Sequence, residues 1–380
     1  MNRSIQLVGA VVIEFENVTK RYPDGTVAVS DLNLTAPAGK ITVLVGPSGC
    51  GKTTSLRMIN RSIELTSGRI SVDGDDIMSV GAVQLRRGIG YVIQHGGLFP
   101  HQTVLDNIAT VPVLLGWGKK KARSRAYELL ERVGLPSAFA KRYPAQLSGG
   151  QQQRVGVARA LAADPPIMLM DEPFSAVDPI VRAGLQDEFL RLQQDIGKTI
   201  VLVTHDIDEA IKLGDNIAVF RTGGHLAQVD PPARLLAHPA DDFVEGLVGK
   251  DRGYRVLSFV PIGDLPAHPV PTVTVGASMA DARQAAGDEQ WLLVLDADRR
   301  PVGWFDTTQP DVTSVEQRAL RTVGTTFGGE SSMRAALDGA LGSPSGQAIR
   351  VDGSGAFVGA VSAVEIARHV ASLGNVAVGA

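Results

Sequence analysis

The sequence predicts an α/β fold over residues 11–240, an open and largely parallel sheet flanked by helices. Three observations predict it. Continuous apolar runs such as Ile167-Met168-Leu169-Met170 and Thr199-Ile200-Val201-Leu202-Val203-Thr204 alternate with segments of helical periodicity. The run Ile41–Val45 leads straight into a glycine-rich string, and Ser55–Ile59 continues beyond it as a helix. Polar residues gather just after the strands, and that edge of an open parallel sheet is where ligands bind.

The glycine-rich string is Gly46-Pro47-Ser48-Gly49-Cys50-Gly51-Lys52-Thr53-Thr54, which fits G-x-x-x-x-G-K-[ST]. Glycines let backbone N–H groups close around the phosphates of a nucleotide triphosphate, where a Cβ would obstruct them. Lys52 adds a point charge for the β- and γ-phosphates, and the Thr53 hydroxyl suits Mg²⁺. The helix that follows turns its N-terminus toward the phosphates.

At 380 residues the chain has room for two or three domains. A hydrophobic content of 44% and a net charge of −3 describe an ordinary soluble protein, with no basic excess to make nucleic acid the main partner. The single cysteine, Cys50, rules out a disulfide framework and fits a reducing compartment. Inside the phosphate loop it reads either as a redox or alkylation handle or, the preferred reading, as a small residue filling a tight loop. No apolar run approaches the about 18 residues that span a bilayer. Residues 1–10 are too short and weakly apolar for a secretory signal, so any membrane crossing is expected from other subunits.

Taken in order, Val11–Val18 alternates like a strand, and Tyr22-Pro23-Asp24-Gly25 reads as a turn into Val27-Ala28-Val29. Tyr22 is either a stacking platform for adenine or a sheet aromatic. Arg69–Gly74 looks like an edge strand and turn, and Gly90–Gln94 like a buried strand ending in a polar residue. A helical region runs from Thr103, which opens a capping-box-like Thr103-Val104-Leu105-Asp106, to about Tyr143. Leu147-Ser148-Gly149-Gly150-Gln151 opens a helix that Pro165 and Pro166 stop. Asp178-Pro179 supplies an N-cap and N1 proline for a helix to about Ile196.

After Asp230-Pro231-Pro232 the texture changes. A terminal helix and linker cover residues 241–270, and a repeat fills 271–375. Ser278-Met279 recurs as Ser332-Met333, Asp296 as Asp352, and Val302-Gly303 as Val358-Gly359, at offsets of about 55 residues. Each copy runs helix, strand, Asp-containing turn, strand, which implies two similar modules packed together.

The chemistry concentrates in the first part. Asp171, ending an apolar strand, suits an oxygen ligand or water-holder for Mg²⁺ on the phosphates. Glu172, one residue on, is placed as the base that aligns and deprotonates the attacking water. Gln94 and His205, each after its own strand, are plausible γ-phosphate sensors.

At this point the chain resembles the nucleotide-binding subunit of an ATP-binding-cassette (ABC) transporter. The residues that carry the resemblance are Leu147-Ser148-Gly149-Gly150-Gln151, similar to that family's signature motif. The order is also the family's: Tyr22, Gly46–Thr54, Gln94, the signature, Asp171-Glu172, Ser175-Ala176-Val177-Asp178 as the D-loop, and His205 as the switch. The resemblance implies a P-loop NTPase domain of ABC type with a helical subdomain at about 95–150. It implies Tyr22 as the adenine-stacking residue, Mg²⁺ on Thr53, Gln94 and Asp171, and catalytic roles for Lys52, Gln94, Glu172 and His205. It also implies a head-to-tail homodimer, in which Ser148, Gly149, Gly150 and Gln151 of one copy close over ATP held by the other. Such a subunit lies on the cytoplasmic face of the plasma membrane. It is bound to permease subunits, and a substrate-binding protein is an indirect partner.

The stretches Tyr91–His101 and Pro173–Arg182 are similar to the ATPases of osmoprotectant importers, which take up glycine betaine, choline, carnitine or proline betaine. The repeated tail looks like the tandem CBS pair, a smaller α+β domain, that these ATPases often carry. The resemblance implies regulation there by ionic strength or an adenine nucleotide. Ser362 and Glu365 in the second copy keep a hydroxyl and an acid at the spacing used for ribose and phosphate, whereas the first copy has Asp306 and Gln309. Nucleotide binding and a purely packing role both stay open for the tail. Rival readings are an importer of amino acids or organosulfonates and a non-transport ABC ATPase. No sustained heptads interrupt the chain as a chromosome-organising ATPase would need.

Overall fold

A computed structural model describes residues 11–93, 97–175, 177–263, 265–309 and 313–373. The chain forms two compact units, Met1–Val248 and Gly249–Ala380.

The first unit opens with β1 (Ile13–Arg21) and β2 (Val27–Ala36), antiparallel and joined by the Tyr22–Gly25 turn. There the Gly25 N–H donates to the Tyr22 carbonyl at 3.0 Å. Next come β3 (Ile41–Val45), α1 (Lys52–Ile59), β4 (Ser67–Val72), β5 (Asp75–Asp76), α2 (Ala82–Arg87) and β6 (Ile89–Val92). A helical stretch follows, with α3 (Val104–Leu114), α4 (Lys119–Arg132) and α5 (Gly149–Leu161). The unit then runs β7 (Ile167–Asp171), α6 (Pro179–Ile196), β8 (Thr199–Val203), α7 (Ile207–Leu213), β9 (Asn216–Arg221), β10 (His225–Asp230), α8 (Pro232–Ala237) and α9 (Asp242–Val248).

Six strands form the main sheet in the order β10-β9-β3-β8-β7-β6, parallel except for the β9–β10 hairpin. Every residue of β3, β7 and β8 is buried, as expected for strands covered on both faces. A second, antiparallel sheet has the order β2-β1-β4-β5. The Arg69–Gly74 stretch is therefore not at an edge. The two-residue β5 pairs with β4 beyond the Asp73-Gly74 turn and takes the outside place.

Local chemistry explains the helix starts. Thr103 caps α3, its hydroxyl accepting from the Asp106 N–H at 3.2 Å and donating to the Asp106 carboxylate at 2.7 Å. Proline begins α6 directly after Asp178, as its fixed φ favours. No helix among the described residues is long and apolar enough to cross a membrane.

The second unit begins with α10 (Arg252–Val256) and β11 (Thr272–Thr274). The first repeat then holds α11 (Met279–Ala286), β12 (Trp291–Leu295) and β13 (Pro301–Asp306). The second holds α12 (Met333–Leu341), β14 (Gln347–Val351), β15 (Phe357–Ser362) and α13 (Ala363–Leu373). The repeated residues do the same work in each copy. Ser278 and Ser332 cap α11 and α12, and Met279 and Met333 bury in the first turn. Asp296 and Asp352 each accept two backbone N–H bonds across their turns. Gly303 and Gly359 each face a neighbouring chain segment so closely that a Cβ would lie 2.6 Å from Leu320 or 2.9 Å from Ala267.

Candidate functional site

Register along the main sheet assembles the site. Val203 of β8 sits opposite Leu44 of β3 on one side and Asp171 of β7 on the other. Because these strands are parallel, Gly46, Glu172 and His205 all emerge at the same edge, one or two residues past that line. The Thr204 N–H donates to the Leu44 carbonyl and the Glu172 N–H to the Val203 carbonyl, so the pairing continues to the mouth of the site.

The glycine-rich loop is walled by backbone. A Cβ on Gly46 would stand 2.2 Å from the Phe220 carbonyl oxygen, and one on Gly51 would stand 2.1 Å from that of Ala28. Pro47, Ser48 and Gly49 are exposed at the loop's tip, whereas Cys50 is fully buried beneath it. Lys52 lies over the loop, its Nζ donating to the carbonyl oxygens of Gly46 at 2.7 Å and Pro47 at 2.9 Å. Gly51 caps α1 without any side chain, which leaves the first-turn N–H groups facing the loop.

The Thr53 hydroxyl donates to the Asp171 carboxylate at 2.9 Å. The two oxygens suit a hard cation such as Mg²⁺. No cluster of three His, Cys, Asp or Glu side chains that could cage a metal occurs among the described residues. Arg57 holds the other Asp171 oxygen at 3.4 Å. Sequence reasoning missed Arg57, although it lies one helical turn after Thr53 and so on the same face of α1. Tyr91 of β6, in the strand beside β7, lies close by, and burial pushes its phenol up.

Glu172 has φ 46°, a left-handed conformation that a non-glycine residue adopts at a cost of about 1–3 kcal/mol. Three hydrogen bonds fix it. Its N–H donates to Val203, and its carbonyl accepts from the Ser175 N–H at 3.3 Å and the Ser175 hydroxyl at 3.0 Å. The carboxylate meets His205 Nδ1 at 3.2 Å, so the structure brings the expected base and switch together. Behind them the buried Glu209 accepts from the Thr204 hydroxyl, and burial pushes its carboxyl up.

Other expected residues are placed elsewhere. Tyr22 sits in the β1–β2 turn, with the Lys20 amine 5.1 Å from its ring centroid. Ser148 caps α5 and shares a capping box with Gln151, whose side chain accepts from the Ser148 N–H at 3.0 Å. Ser148 and Gly149 are exposed, and Gly150 packs near Leu185. Among the described residues no hydrogen bond or ion pair joins Ser148–Gln151 to the loop. Gln94 lies outside the described residues, as does Ala176 of the expected D-loop.

The ABC transporter family matches residues 29–175. The osmoprotectant import ATP-binding protein OsmV of Salmonella typhimurium is 49% identical over 303 residues, 77% of this chain and 78% of that protein. The chain belongs to the ATP-binding proteins of the ABC transporter family. The carnitine transport ATP-binding protein OpuCA of Listeria monocytogenes is 54% identical over 241 residues, 63% of this chain and 60% of the relative. The dimeric, post-hydrolysis ATP-binding cassette MJ0796 bound to ADP and Pi is 34% identical, with a TM-score of 0.53 over 58% of this chain and 98% of that one. This ABC ATPase thus has, on one sheet edge, a phosphate loop, an oxygen pair for a cation and a carboxylate beside an imidazole.

Proposed function

We propose that this chain hydrolyses ATP at a head-to-tail interface between two copies, and that hydrolysis drives import of a quaternary-ammonium osmoprotectant such as glycine betaine, choline, carnitine or proline betaine. The observation that carries the hydrolytic part is Glu172, held in a strained conformation beside His205 and one residue past the Thr53–Asp171 pair. The loop from Gly46 to Thr54 grips the phosphates, and Lys52 turns from the loop carbonyls toward the β- and γ-oxygens. Mg²⁺ would be held by Thr53 and Asp171, with Gln94 as a further ligand, and would neutralise charge on the phosphates. Glu172 orients a water for in-line attack, and His205 keeps the carboxylate aimed.

Ser148 and Gly149 stand exposed, and Gly150 and Gln151 half-buried, at the start of a thirteen-residue helix. In a head-to-tail pair that positive helix end meets the γ-phosphate on the partner. The membrane-facing work falls to the helical stretch, where Leu114 is 73% exposed at the end of α3. Such an apolar tip suits a permease helix. The cargo reading rests on relatives named for osmoprotectant, carnitine, choline and glycine betaine transport. The C-terminal unit is read as the regulatory, CBS-like pair.

Two variants test the composite site. Glu172→Gln is expected to bind ATP and dimerise in its presence while turnover falls about 10²-fold or more. Ser148→Arg is expected to bind ATP as a monomer and lose the ATP-dependent dimer, followed by size-exclusion chromatography. Near-normal hydrolysis by Glu172→Gln would remove Glu172 as the base, and an undiminished Ser148→Arg dimer would refute the head-to-tail arrangement.

A further inference from the structure

The C-terminal unit contains a cavity of about 330 Å³ that the nucleotide chemistry does not use. One wall is indole. Trp291 of β12 and Trp304 of β13 lie on one sheet face, because Leu293 pairs directly with Trp304 and Trp291 is two residues from Leu293. Trp304 is 1% exposed, and its indole N–H is buried with no hydrogen-bond partner. Trp291 is only partly buried, so part of its surface can meet a ligand.

The polar wall is acidic. Glu365 accepts from the Ser362 N–H at 2.8 Å and the Ser362 hydroxyl at 2.7 Å, bonds that hold its carboxyl below the usual range. His268 Nε2 stands 3.1 Å from its other oxygen. Glu289 lines the cavity too and is exposed, with no cation paired to it among the described residues. No lysine or arginine is among the residues lining the cavity.

The repeat explains why there is room. An offset of 56 residues matches Glu289 to Ser345, Trp291 to Gln347 and Trp304 to Ala360, and all six residues line the same cavity. The first copy contributes acid and rings. The second contributes small or neutral side chains at the equivalent places, which leaves room beside the partly exposed Trp291 ring.

The geometry points to a binding site for a small organic cation of the quaternary-ammonium class, seated on Trp291 and neutralised by Glu289 and Glu365. An alkylated ammonium is attracted to an indole face and has no N–H to satisfy. A nucleotide polyphosphate is the poorer match, because two carboxylates face it and His268 is the lone candidate cation in the lining. The inference does not depend on which solute the transporter moves.

The test is calorimetric titration of the full-length chain with choline chloride at constant ionic strength, and separately with AMP. Choline is expected to bind and to change the tryptophan emission. Trp291→Ala is expected to weaken it about five- to thirtyfold. Glu289→Gln, a change on an exposed side chain, is expected to weaken it about threefold or more. Both variants should keep the ATPase rate of the parent chain, which verifies folding. The proposal is overturned if choline gives no binding, if both variants bind it as the parent does, or if AMP binds and displaces it.

Discussion

Single residues in the loop are constrained for different reasons. Gly51 has φ 98° and no space for a side chain, whereas Gly49 has φ 76° and nothing within 4 Å of where a Cβ would sit. In nucleotide-free protein, Gly49→Ala is expected to cost about 1–2 kcal/mol of backbone strain alone. Gly51→Ala adds a collision with the Ala28 backbone and should melt several degrees lower still, measured by thermal unfolding of both variants. Equal melting points would contradict the wall formed by β2. The motif makes both glycines readable from sequence as phosphate-loop residues, but not this difference. The Ala28 and Phe220 carbonyls that wall the loop come from distant strands, and no local pattern announces them. Arg57 stayed unread for a milder reason: its spacing from Thr53 is visible, but an arginine on a helix is ordinarily a solvated charge. Glu172 was legible as a carboxylate after a strand, and its left-handed backbone was not.

Elements were legible wherever a local rule fixes them. The cap at Thr103, the proline start of α6, the apolar strands and the Ser-Met repeat all follow from short-range hydrogen bonding and burial. The place of β4 inside its sheet did not follow, because strand order depends on pairing between distant segments. The element after β8 makes a testable case. Glu209 on α7 is buried, and burial raises its carboxyl above the ordinary value of 4.5. The folded state therefore holds that proton to higher pH than the unfolded chain does. Stability contributed by the protonated form is present below about 4.5 and is lost as pH climbs through the raised folded value. Glu209→Gln keeps an acceptor for the Thr204 hydroxyl and removes the charge. Its stability relative to the parent should rise from pH 4 to pH 7 in urea unfolding. A difference that stays constant with pH would show that Glu209 is not carrying the penalty.

At the scale of the whole molecule, one chain holds the chemistry of an ABC ATPase on one sheet edge and a signature helix that no described bond joins to it. The predicted consequence for transport is direct. A strain carrying Lys52→Ala should lose ATP-dependent uptake of labelled choline and glycine betaine while the protein still accumulates. Unchanged uptake would refute the cargo assignment and leave the ATPase assignment untouched, since hydrolysis is measured on the purified chain. The separation of Ser148–Gln151 from the loop also has a genetic reading. In the head-to-tail pair proposed above, with its two copies related by a twofold axis, a substitution in Lys52 or in Ser148 enters both nucleotide sites of a mutant pair. In a cell expressing intact and altered chains equally, random pairing leaves about one dimer in four with both sites whole. Defects in this gene should therefore tend toward dominance, and overexpressing an altered allele should poison the intact one.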